Sequence, residues 1–162
     1  MSDPLATYMH DHLAGARAAI DLLEAMRKQQ QGQPLGEVVT ALQTEIQADF
    51  DTLRQLAEKA GGGSNVLKEL TGWLGEKATR WKLGQSSADR FGTFEALEFL
   101  ALGIRGKMSM WLALDVAAPR EPRLAGFDFR RLADRAESQY KTVEQQRLSL
   151  AASALVEQQP KQ

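Results

Sequence analysis

The side chains best suited to chemistry in this sequence are polar residues that interrupt apolar helical patterns. At about 100° per residue, His12, Asp49 and Lys107 each fall inside a stripe of apolar residues, so helical geometry points them inward. An inward lysine opposite a carboxylate can recognise a small anion, or act as a base if burial lowers its pKa. The candidate ligand-binding residues are Tyr8, His12, Asp49, Glu98, Lys107 and Arg147. No residue is assigned a catalytic role.

Two ion pairs are predicted from the spacing of these residues along the chain. Asp49 and Lys107 are nearly equally far from the two expected hairpin turns, so both should lie near the middle of a helical bundle and can pair. Folding the last two helices back around residue 122 places Glu98 beside Arg147. Such pairs either fix the register of the helices or line a binding cavity, and the sequence leaves both readings open.

Several other positions carry weaker predictions. His12 fits a core histidine that bonds to a neighbouring helix, with a catalytic or ligand role as the alternative. Gly103 and Gly106 either leave room beside the Lys107 side chain or allow close contact between helices, and we expect the close contact. On the last helix, two pairs should face outward: Arg130 with Asp134, and Glu137 with Lys141.

The residue inventory argues against several kinds of site. The chain has no cysteine, which excludes disulfides, thiolate metal sites and a cysteine nucleophile. No serine or threonine lies in a recognisable nucleophile turn, and no glycine-rich loop follows a strand pattern. We therefore expect no metal, no cofactor and no catalytic constellation.

Apolar periodicity predicts an all-α chain forming a single domain over residues 1–162. The stretch from Thr93 to Asp115 is apolar around most of its circumference, leaving only a narrow polar strip, and so should be the central helix, capped by Thr93. Ser2 or Asp3 is expected to cap the first helix, and Asp128 the last. The predicted helices span about 4–28, 35–59, 64–82, 93–116 and 128–155, followed by a frayed tail over 156–162.

Two long hairpins separated by a crossover resemble the ferritin-like superfamily of four-helix bundles in layout. That resemblance implies a bundle with a short extra helix, 64–82, in the crossover. It implies no metal site here, because the family's Glu-x-x-His ligands are absent: the only histidines, His10 and His12, are preceded at that spacing by Thr7 and Met9.

Composition limits the classes of partner. The net charge of −1 argues against nucleic-acid binding, which usually requires an excess of basic residues. Arg105 and Lys107 inside the apolar helix argue against membrane insertion. The start of the sequence shows no secretory pattern, so a cytoplasmic location is expected. We expect a non-enzymatic protein that acts through a homodimer or a protein partner. The alternative is an enzyme or a small-ligand or metal-binding protein with a polar mid-bundle cavity that takes, for example, a small anion.

Overall fold

The described part of the chain is entirely helical in its regular structure. A computed structural model describes residues 3–61 and 90–156, and these contain no strand. The long helices are α1 (Pro4–Gln29), α2 (Pro34–Lys59), α3 (Arg90–Ala117) and α4 (Phe129–Leu155). Two single 3-10 turns, Ala118–Arg120 and Pro122–Leu124, connect α3 to α4. The predicted helix over 64–82 and the tail residues 157–162 lie outside the described residues.

Local capping explains where α1 and α4 begin. The Asp3 carboxylate accepts a hydrogen bond from the Leu5 backbone N–H at 3.0 Å, and Pro4 occupies the first helical position, where no N–H is needed. The Asp128 carboxylate accepts from the Arg131 N–H at 3.0 Å. Both predicted caps are confirmed. Thr93 is not a cap, because α3 already begins at Arg90 and Thr93 lies buried inside it.

The two hairpin turns lie at opposite ends of the bundle. Arg123, in the α3–α4 connection, donates to the Asp3 carboxylate at the start of α1 and to the Ala60 carbonyl, 3.1 Å away, just past the end of α2. We call this the Arg123 end. The α1–α2 turn, with Gly32 at a φ of +77°, forms the other end, the Gly32 end. Consequently Gly61 lies at the Arg123 end and Arg90 at the Gly32 end.

Each long helix packs against two others. α1 packs on α2 and α3, and α4 packs on α3 and α2, so α2 and α3 face each other across a diagonal. Apolar side chains from all four helices form one core, with Trp111 and Phe129 stacked between α3 and α4 at a ring-centroid distance of 6.1 Å. Every neighbouring pair in this arrangement is antiparallel.

The central helix is less enclosed than its apolar composition predicts. Five large apolar side chains project from it to solvent, and we call this surface the outer face of α3: Phe91, Phe99, Leu102, Leu112 and Val116. Gly103 and Gly106 are also exposed, and a Cβ added at either would meet nothing within 4 Å. Among the described residues, no helix makes the expected close contact at these glycines.

Candidate functional site

A buried polar network occupies the middle of the bundle where α2, α3 and α4 meet. The Lys107 ammonium on α3 donates to Asp49 Oδ2 on α2, so the predicted Asp49–Lys107 pair is confirmed. Lys107 also donates to Oε1 of Gln139 on α4. Asp49 and Gln139 are each only 2% exposed, and the Lys107 side chain is 13% exposed. The network is thus shielded from solvent on most sides.

Two more residues complete the network. The Arg135 guanidinium donates from Nη2 to Asp49 Oδ1, so each carboxylate oxygen of Asp49 receives its own cation. The Gln139 amide nitrogen donates to Glu45 Oε2 at 3.0 Å and to Asp49 Oδ2 at 3.2 Å. We call these five residues the Asp49 cluster: Glu45, Asp49, Lys107, Arg135 and Gln139. Two acids and two bases make its formal charge zero.

The electrostatics of the Asp49 cluster are those of a closed ion-pair network. Burial lowers the pKa of Lys107, because it removes water from the ammonium, while the Asp49 carboxylate acts in the opposite direction. A lysine with a lowered pKa can serve as a base. Here, however, its donors point at Asp49 and Gln139, which leaves the ammonium engaged in fixing the helices.

Two buried N–H groups near this level of the bundle lack partners among the described residues. These are the Arg135 Nε–H and the indole Nε1–H of Trp111, one turn beyond Lys107 on α3. Buried donors without a partner are rare in proteins, and ordered water or a small ligand is the usual explanation. These two N–H groups, one in the Asp49 cluster and one on α3 nearby, therefore point to a bound water or small ligand.

The other predicted site residues lie elsewhere. Tyr8 and His12 contact each other on α1 in an edge-to-face arrangement, with ring centroids 4.7 Å apart. Within the described residues, no hydrogen bond or ion pair joins either of them to the Asp49 cluster. Burial lowers the pKa of His12, with Asp11 acting in the opposite direction. His12 is therefore a half-buried histidine outside the mid-bundle network.

Glu98 and Arg147 form the second predicted pair. Arg147 Nη1 donates to Glu98 Oε2 at 3.2 Å, which confirms the pairing. The guanidinium makes two further hydrogen bonds to Glu144, of 2.9 and 2.5 Å, and lies over the Phe94 ring. Glu98 is about 14 Å along α3 from Lys107 at 1.5 Å per residue. The six candidate residues therefore occupy three separate places.

Sequence reasoning missed Arg135, and it placed Arg130 wrongly. Arg135 lies one turn before Gln139 and is partly exposed, so its position alone looked like that of a surface residue. Arg130 pairs with Asp115 of α3 instead of Asp134, because the start of α4 lies beside the end of α3. The Glu137–Lys141 pair forms as predicted, at 3.1 Å.

Neither a metal site nor a membrane span is found in the described part of the chain. No three histidine, cysteine, aspartate or glutamate side chains there come together as a metal-binding group. None of the described helices contains an apolar stretch long enough to cross a bilayer. No family model, curated protein or solved structure matches this chain.

Proposed function

We propose that the chain is a ferritin-like helical-bundle protein that acts without enzymatic chemistry, by associating through the outer face of α3. The observation that carries the proposal is the concentration of exposed apolar side chains there. Five of the nine large apolar side chains that the described residues expose lie on α3, including Leu102 at 67% and Val116 at 77%. Clustered apolar surface bordered by polar residues marks interaction sites, whereas single exposed apolar residues do not.

The exposed apolar residues are aligned along the helix. With about 100° between successive residues, Phe91, Leu102 and Val116 fall within about 40° of one line, and Phe99 and Leu112 flank it. The line runs almost the full length of α3, and the exposed polar residues of this helix lie among its apolar ones: Glu95, Glu98, Arg105 and Ser109. This is the pattern of a helix that packs against a further helical surface.

The ferritin-like assignment is supported by chain topology. The hairpin turns lie at opposite ends, so residue 61 and residue 90 are separated by the length of the bundle. One long connection between antiparallel hairpins is the arrangement typical of ferritin-like bundles. The absence of cysteine is compatible with a cytoplasmic location, which we retain as part of the proposal.

A non-enzymatic role is supported by the state of the Asp49 cluster. Lys107 and Arg135 are each bonded to Asp49, and breaking a buried ion pair of this kind is strongly destabilising, which favours a structural role for it. The two other candidate groups, Tyr8 with His12 and Glu98 with Arg147, lie apart from it. No shared constellation supports a reaction.

The test is self-association in solution, measured by sedimentation equilibrium. We expect the full chain to associate with increasing concentration and Leu102→Glu to weaken that association by more than about tenfold, because each copy loses about 2 kcal/mol of apolar burial. Leu148→Glu, on α4 and similarly exposed at 58%, is the matched control and should associate normally. A chain that stays monomeric at its highest soluble concentration contradicts the proposal, as does equal weakening by both variants.

A second candidate function, binding of a small anion beside the Asp49 cluster, is favoured by the unpartnered N–H groups of Trp111 and Arg135. An anion within reach of either group would accept its hydrogen bond. Thermal denaturation with inorganic phosphate tests it. A rise in melting temperature for the native chain that is absent in Trp111→Phe supports binding, and identical rises in both contradict it.

A further inference from the structure

We infer that the partner of the outer face of α3 is the same helix of a second copy, running antiparallel about a two-fold axis that passes between Leu102 and Gly103. This inference rests on the proposed association through that face and adds the identity and orientation of the partner. The commonest protein oligomers are two-fold dimers in which one patch meets itself. In an antiparallel pair, the outer face of α3 must then be complementary to a copy of itself that runs in the opposite direction.

The large and small residues of the face satisfy that condition. Phe99 and Leu102 project outward, while exposed Gly103 and Gly106 leave open space: no atom of residues 3–61 or 90–156 comes within 4 Å of a Cβ added at either glycine. With the axis between 102 and 103, Phe99 lies level with Gly106 of the partner subunit, and Leu102 with Gly103 of the partner subunit. Phe99 and Gly106 also point in nearly the same direction, since seven residues bring a helix round to within about 20°, so each Phe99 faces a glycine of the other copy.

The charges of the face satisfy the same condition. Glu98 and Arg105 lie seven residues apart on the edge of α3 that faces α4, where Glu98 contacts Arg147 and the Arg105 guanidinium lies 4.0 Å from the Tyr140 ring centroid. A two-fold axis across the helix brings this edge against the same edge of the other copy. Arg105 of the partner subunit is then level with residue 100. Measured along the helix at about 1.5 Å per residue, it lies about 3 Å from Glu98.

The orientation follows from the charges. A parallel pair of α3 helices would leave Glu98 about 10 Å along the helix from Arg105 of the partner subunit, so the opposite charges would not meet. The antiparallel pair instead forms two reciprocal Glu98–Arg105 contacts, one on each side of the axis. Glu98 is 53% exposed in its pairing with Arg147, so it retains oxygen surface for a second cation.

Introduced cysteines test the orientation directly, because the native chain contains none. In the full chain, Leu102→Cys lies beside the axis, so mild oxidation should produce a disulfide-linked dimer. Phe91→Cys should not link to itself, since two copies of residue 91 would be about 35 Å apart in the antiparallel pair. Efficient linking through Phe91→Cys would show a parallel pair and overturn the inference while leaving self-association intact.

Charge reversal tests the Glu98–Arg105 contact. Glu98→Arg and Arg105→Glu should each weaken the dimer on the order of tenfold, and the double reversal should restore most of the loss. Thermal denaturation of each variant shows whether the monomer remains folded. A double variant no tighter than the singles overturns the inference, even if Leu102→Glu abolishes association and the proposed function stands.

Photo-cross-linking tests whether another part of the same chain covers the outer face of α3. A photoreactive side chain at residue 102 should cross-link to α3 of another copy. Cross-linking to residues 62–89 of the same chain, together with a monomeric mass in sedimentation, would show that the chain covers this face itself. That result would overturn both the antiparallel dimer and the association proposed above.

Discussion

Lys107 on α3 and Asp49 on α2 are bonded across the diagonal of the bundle, although 58 residues separate them in the chain. The contact joins the two hairpins, since α2 belongs to the first and α3 to the second. Because both groups are buried, sliding or rotating one hairpin against the other would leave a charge without a partner in the core. The pair therefore fixes the register between the hairpins.

Removing the Asp49 carboxylate should be among the most damaging single changes. Asp49→Ala leaves the Lys107 ammonium and the Arg135 guanidinium without their anion, and breaking one partner of a buried pair typically costs about 3–5 kcal/mol of unfolding free energy. Urea denaturation measures the loss. The control is Asp51→Ala, on the same helix but half exposed, which should cost no more than about 0.5 kcal/mol.

Coupling between Asp49 and Lys107 is tested by adding Lys107→Met. If the pair acts as a unit, the double variant should be more stable than the sum of the two single losses predicts, by more than about 0.5 kcal/mol. Strict additivity would mean that the two residues do not interact energetically.

Arg147 should depend more on Glu144 than on Glu98. Two hydrogen bonds join it to Glu144 within α4, whereas one longer bond reaches the half-exposed Glu98 on α3. In cycles with Arg147→Met, we expect a coupling of about 0–1 kcal/mol for Glu98→Gln, typical of an exposed pair, and a larger one for Glu144→Gln. A coupling of zero to both would mean that the guanidinium contributes only through its packing on Phe94.

Gly36, in the first turn of α2, should not tolerate a side chain. A Cβ added there would lie 2.2 Å from the backbone oxygen of Gln30, which the α1–α2 turn holds in place. Gly36→Ala should therefore destabilise the fold by about 1–3 kcal/mol, as overpacking does. Gly15→Ala is the matched change: its Cβ meets nothing within 4 Å, and it should stabilise α1 by about 0.5–1 kcal/mol. Equal effects in a denaturant titration would contradict the turn geometry.

Acid should weaken the Arg123 end of the bundle. Hydrogen bonds from Arg123 lower the pKa of Glu121 from 4.5 to about 2 and also lower the pKa of Asp3. Since the unfolded chain binds these protons first, this contribution to stability is present above pH 4.5 and is lost as the pH falls towards about 2.

The variant that tests this pH dependence is Arg123→Gln. It should flatten the decline of unfolding free energy over that range, measured by urea denaturation at each pH. Arg120→Gln removes the same charge three residues earlier without removing a bond to Glu121, so it should keep the native slope. An unchanged slope in Arg123→Gln would contradict the assignment.

The four long helices and both long-range ion pairs were predictable because they follow from periodicity and counting. Apolar residues at helical spacing locate the elements, and equal distances from the turns place Asp49 level with Lys107. Arg135 was not predictable in the same way. The side chain of an arginine at the edge of an apolar stripe can extend to solvent or into the core. Arg135 extends inward because Lys107 binds only one oxygen of the buried Asp49 carboxylate, and the other oxygen needs a donor.

The outer face of α3 also escaped the sequence analysis. Apolar residues around most of a helix indicate that the helix is covered by other protein surface. They do not show whether that surface belongs to the same chain or to another molecule. Leu112 shows the difficulty, because it belongs to the apolar circumference of this helix, directly after the fully buried Trp111, and is nevertheless partly exposed. Burial at such a position depends on how many neighbours surround the helix, which a single helical pattern does not encode.

The parallel course of α1 and α4 has a mechanical consequence. Asp3 lies at the Arg123 end and Val156 at the Gly32 end, so a tensile force applied between them pulls α1 and α4 in opposite directions along their axes. Rupture must then break core contacts along the whole length of the helices together, instead of opening them one turn at a time. Held by these two residues, the bundle is loaded in shear.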